Sequence, residues 1–154
     1  MDIFAAIEQL ALVRLLKSSY YAYPIVNALH IASIGALLTS VWLMDLRVLG
    51  LVTSVPDQPF LRLLRRVALI AFLCALVTGL ALFSVRASEY VGLPVFLVKM
   101  TLIMLAGLNL LLFVVLGRNR PGGRAPGSGE RAAAAVSAVL WTAVLFAGRF
   151  IGFA

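Results

Sequence analysis

"YPIVNALHIASIGALLTSVWLM", residues 23–44, contains no Asp, Glu, Lys or Arg, and it holds the one histidine of the chain, His30. As a helix rising 1.5 Å per residue it would be roughly 33 Å long, enough to cross about 30 Å of hydrocarbon. Pro24 suits the first turn of such a helix, where its missing N–H costs nothing. The following "DLRVLG", residues 45–50, is expected to return the chain to water through Asp45 and Arg47.

Outward from this stretch the same pattern recurs. Apolar runs over about 67–85, 95–116 and 132–153 predict three more spans, so the 154 residues form a single all-α domain with four transmembrane helices. The composition agrees, with 63% hydrophobic and only 12% charged residues, far from the balance of a soluble domain. Residues 1–20 place Ile3, Ile7, Leu10 and Leu15 at helical spacing among Glu8, Arg14 and Lys17, which predicts an amphipathic helix lying in the interface. Asp2 near the start, and the lack of a basic leader with a small-residue cleavage site, argue against a cleaved signal peptide. Residues 117–131, "GRNRPGGRAPGSGER", read as a flexible solvated linker.

The net charge of +7 resides beside the apolar runs rather than in a stripe that could read a nucleic acid, so a lipid surface is the expected partner. Arg47, Arg62, Arg65 and Arg66 in the first loop and Arg118, Arg120, Arg124 and Arg131 in the third assign both loops to the cytoplasm. Both termini would then be periplasmic in a bacterial inner membrane. Cys74 stands alone, which excludes an internal disulfide and a cysteine-based metal motif.

Three ionisable side chains remain inside the runs, His30, Lys99 and Arg149, all at depths toward the side of the termini. Hydrocarbon cannot satisfy an imidazole, so His30 must face protein, water or a ligand. His30 shares a helix face with Ser33, Leu37, Ser40 and Met44, whereas Ala28, Ala32, Gly35 and Thr39 form a small-residue face suited to close helix contact. Lys99, Leu102, Ala106, Asn109 and Phe113 lie along one side of the third span, and Ala138, Thr142 and Arg149 along one side of the fourth.

These faces predict a polar pocket in which His30, Lys99, Arg149 and Asn109 bind a small ligand or redox cofactor. Three ligand chemistries stay open. Haem b could take its axial nitrogen from His30 and meet its propionates with Lys99 and Arg149. Copper could use His30 with the thioether of Met100. An anionic or quinone-like molecule could lie between Lys99 and Arg149. The bland alternatives are that Lys99 and Arg149 snorkel to the interface, with Glu89 pairing either, that Asn109 ties helices together, and that Met100 fills packing. No nucleophile, base and orienter set and no phosphate loop occurs, so a binding role is expected over an enzyme.

Together "YPIVNALHIASIGALL", "DLRVLG", "VFLVKMTLIMLAGLN" and "LWTAVLFAGRFIGF" resemble a family of small bacterial inner-membrane proteins classed as a domain of unknown function. The likeness covers nearly the whole chain and marks Pro24, His30, residues 45–50, Lys99 with Met100, residues 107–109, and Gly148 with Arg149. It implies a four-helix membrane fold and carries no mechanism. An accessory or assembly subunit of a larger membrane complex, or a homo-oligomer, is the expectation of a different class.

Overall fold

A computed structural model describes residues 3–53, 57–117 and 125–153. They form α1 (Ile3–Glu8), α2 (Ala11–Ser18), α3 (Ala22–Leu49), α4 (Asp57–Val85), α5 (Ala87–Val91), α6 (Pro94–Gly117) and α7 (Ser128–Phe150), closed by a 3-10 turn, Ile151–Phe153. Among the described residues, four helices, α3, α4, α6 and α7, are long and apolar enough to cross a membrane. The all-α, four-span expectation holds, and no strand occurs among these residues.

The helix limits follow from local chemistry. α3 runs past Met44 because "DLRVLG" is its carboxyl cap rather than its exit to water. Gly50 takes φ 84°, and the N–H groups of Gly50 and Leu51 donate to the carbonyls of Arg47 and Leu46 at 3.1 and 2.9 Å. Asp45 is therefore buried, and the Arg47 guanidinium donates to the Val52 carbonyl. α6 starts on Pro94, whose fixed φ suits a first helical position. At α7 the Glu130 carboxylate accepts the Gly127 N–H at 2.9 Å, which caps the helix from inside its first turn. The helix thus begins at Ser128, four residues before the expected span, and takes residues 128–131 out of the expected linker; residues 118–124 of that linker lie outside the described residues.

The amino-terminal segment is two short helices, broken at Gln9 and Leu10, rather than one helix over residues 1–20. α1 docks at the terminal end of the bundle. Phe4 meets Phe83 edge-on at 6.3 Å, Phe83 stacks on Phe96 at 5.4 Å and on Tyr90 at 6.3 Å, and the Glu8 carboxylate accepts the Ser88 N–H at 2.9 Å.

α3 packs along α4 on one side and α7 on the other, and α6 packs on α7. The side-by-side order is therefore α4, α3, α7, α6. The stack of Phe83 on Phe96 joins the two outer helices at the terminal end. Because α3 has neighbours on both sides, its buried residues are Leu37, Leu38, Ser40 and Asp45. The small-residue face behaves otherwise: Ala28, Ala32, Gly35 and Thr39 are exposed, and a Cβ on Gly35 would meet nothing within 4 Å. The histidine face makes the close packing instead.

Candidate functional site

His30 lies eight residues into α3, roughly 12 Å from its start. Its imidazole enters α4 at a notch. A Cβ on Gly79 would sit 2.9 Å from His30 Cε1, closer than real side chains tolerate, so only glycine leaves room for the ring at this depth. The neighbouring Thr78 Oγ1 stands 2.9 Å from His30 Nδ1.

The hydrogen-bond pattern assigns the tautomer. The single hydroxyl proton of Thr78 is directed to the Cys74 carbonyl at 2.6 Å, the usual bond of a helical threonine to the preceding turn. Toward His30 that oxygen can only accept, so the Nδ1–H donates to it. The Ala75 carbonyl also accepts from the ring, and in the neutral Nδ1–H tautomer Nε2 is an acceptor that Thr78 does not use.

Lys99 reaches the same layer from the far side of the bundle. Its side chain leaves α6 and lies across Gly148 of α7, where an added Cβ would fall 3.5 Å from Lys99 Cε and 3.6 Å from Nζ. The half-buried ammonium is the charged group that bears on the His30 imidazole. It makes no hydrogen bond or ion pair among the described residues. Gly79 is thus the gap that admits the ring, whereas a Cβ at Gly148 would make only ordinary van der Waals contact with the Lys99 side chain.

The structure does not bring the other expected residues into this layer as partners. Arg149 follows Gly148 but turns toward the end of the chain, where its guanidinium lies 4.7 Å from the ring centre of Phe153. It is exposed, as a snorkelling side chain would be. Glu89 pairs with neither Lys99 nor Arg149; it meets Arg86 at 3.4 Å on the surface. Asn109 donates to the Ala133 carbonyl at 2.9 Å and so ties α6 to α7. Ala133 precedes Gly148 by a helical distance of roughly 22 Å, which removes Asn109 from the His30 layer.

The donor set answers the cofactor question. The Lys99 ammonium, whose charge reaches the imidazole, opposes a metal cation, and Met100, exposed and about 100° round α6 from Lys99, does not supply a second ligand on the same face. No group of three or more His, Cys, Asp or Glu converges among the described residues. These residues do not fit a copper site. A haem would use Nε2, and the Nδ1–H bond to Thr78 is the kind that orients a ligating histidine. Yet the ring is wedged against Gly79, and His30 lines neither the α3–α7 groove nor the smaller α3–α4 groove. A porphyrin does not fit there either.

Thr78 and Gly79 were not singled out by the sequence pattern, because α4 reads as a nearly uniform apolar run. The available signal was the adjacent threonine and glycine in "LVTGLAL", a polar and an empty position side by side among large aliphatic residues. No family model, curated protein or solved structure matches the chain.

Proposed function

We propose that this multi-pass protein resides in a bacterial inner membrane with both termini periplasmic, and that it binds a small oxygen-bearing ligand between His30 and Lys99. The ligand is an anion or a quinone-like carbonyl compound, and the role is binding rather than catalysis. One observation carries the reading: Lys99 lays across Gly148 an ammonium that has no partner among the described residues, and its charge reaches an imidazole whose Nδ1–H is already engaged. A half-buried ammonium gains most from an acceptor oxygen that it can both neutralise and hydrogen-bond. His30 Nε2 adds an acceptor for a protonated oxygen, such as the hydroxyl of a reduced quinone or of a carboxylic acid. The basic loops support the orientation, because Arg47, Arg62, Arg65, Arg66 and Arg131 fall at the helix ends away from His30.

The test uses the full chain in phosphatidylcholine nanodiscs and two probes, decyl-benzoquinone and decanoate. Saturable binding of one of them names the class. It is expected to weaken at least ten-fold in Lys99→Met and measurably in His30→Ala. If neither probe saturates, or if Lys99→Met binds as the parent does, the site reading fails and the accessory-subunit reading takes its place. A reporter fused to either terminus checks the orientation.

A further inference from the structure

A second site lies at the opposite end of the bundle. Between α3 and α7 runs a groove of about 570 Å³ whose walls include Trp42, Leu46, Val139, Ala143 and Phe146. They are apolar or aromatic almost throughout. Asp45 also lines this groove, although it is only 9% exposed. One side of its carboxyl is bonded to Ser137 of α7. The other oxygen, Oδ2, is shielded from solvent and has no hydrogen-bond donor among the described residues. Asp45 makes no ion pair among the described residues.

Such an arrangement is costly if nothing answers it, since a buried carboxylate needs a donor or a counter-charge. The helix cap explains why Asp45 is held here: the turn that ends α3 comes at Gly50, so the acid is committed to the α3–α7 contact one turn earlier. It does not explain the missing partner. Nor does Asp45 belong to the His30 layer, from which it is separated by fifteen residues of α3, roughly 22 Å.

We propose that this groove binds a lipophilic amine, a protonated nitrogen carried on an apolar body. The body matches the aliphatic and aromatic walls. The ammonium supplies the counter-charge and the N–H donor that Asp45 lacks, with rotation of the carboxyl group presenting either oxygen to it. Trp42, 38% exposed at the groove, offers its indole face to the same cation. An acid or a neutral lipid tail would fill the walls and leave Asp45 unanswered.

Trp42 also gives the readout, because indole emission transfers to a dansyl group bound nearby. The full chain, with Trp141→Phe to leave Trp42 as the sole donor, is titrated in phosphatidylcholine nanodiscs with dansylcadaverine and with the uncharged N-pentyl dansylamide. The amine is expected to saturate and to bind at least ten-fold more tightly than the neutral probe. Asp45→Asn, which keeps the shape, is expected to abolish that preference while leaving the neutral probe unchanged. Ala143→Leu narrows the groove without touching the acid and is expected to weaken both. Equal affinity of the parent for the two probes would overturn the proposal, as would an unchanged preference in Asp45→Asn. Should Asp45→Asn fail to fold, the parent's preference for the amine and the weakening of both probes in Ala143→Leu decide.

Discussion

The Thr78 hydroxyl accepts from His30 Nδ1 at 2.9 Å while donating to the Cys74 carbonyl at 2.6 Å, so one side chain of α4 fixes which imidazole nitrogen of α3 carries the proton. Nitrogen NMR of histidine-labelled protein should therefore show the Nδ1–H tautomer at neutral pH. In Thr78→Val, which keeps the volume and removes the acceptor, the tautomer preference should collapse. A spectrum dominated by the Nε2–H form in the parent would contradict the assignment.

Gly79 makes the packing of that ring possible. A methyl group there would lie 2.9 Å from His30 Cε1 and must push the imidazole or the helix aside. Gly79→Ala should destabilise the fold by about 1–3 kcal/mol, as other overpacked interiors do. Unfolding by a denaturing detergent, followed by circular dichroism, measures it. Gly35→Ala is the internal control, since its Cβ meets nothing, and it should be close to neutral.

Asn109 acts far from the His30 layer. Asn109→Leu removes its bond to the Ala133 carbonyl and should cost about 0.6–1.7 kcal/mol, the scale of interhelical hydrogen bonds in membranes. Ligand affinity at His30 and Lys99 should not change. A parallel loss of affinity would mean that α6 and α7 transmit strain along their contact.

Arg149 and Lys99 should separate cleanly. Arg149→Leu breaks an exposed contact with Phe153 and should leave ligand binding intact, whereas Lys99→Met should weaken it at least ten-fold. Equal losses in the two variants, measured with the same probe, would show that the guanidinium swings inward when ligand is bound.

Docking of the amino-terminal helices should depend on acid. The Ser88 N–H bonded to the Glu8 carboxylate holds its pKa below the ordinary 4.5. A folded-state value lowered in this way adds stability above the unfolded carboxyl's pKa, and that stability is lost as pH falls through the lowered value. Amide protection at α1 and α5, corrected for the intrinsic pH dependence of exchange, should therefore fall below about pH 4.5 in the parent and stay nearly constant in Glu8→Gln. The Glu8 carboxylate lies at the surface of the bundle, so the change is confined to this local opening.

Much of this molecule is legible along one dimension. The spans, the polar stripe of α6 and the depth of His30 follow from apolar runs and helical period, because the bilayer imposes a length and the helix imposes a face. Lys99, Ala106 and Asn109 do lie on the packed side of α6. The small-residue face of α3 misled, since Ala28, Ala32 and Gly35 suit close contact but are left exposed, and the helix packs through Leu37, Leu38 and Ser40. Periodicity names candidate faces and does not say which neighbour takes them.

The chain by itself determined four crossings, a shared depth for His30 and Lys99, and the basic loops at the other end, because hydropathy and charge are properties of each residue and its spacing. Only the tertiary arrangement decided that the order is α4, α3, α7, α6, that Thr78 and Gly79 receive the imidazole, that Arg149 turns away, and that Asp45 is buried against Ser137. Those depend on register and rotation between helices, which in a membrane are set by local shape and hydrogen bonding rather than by the hydrophobicity that the sequence displays.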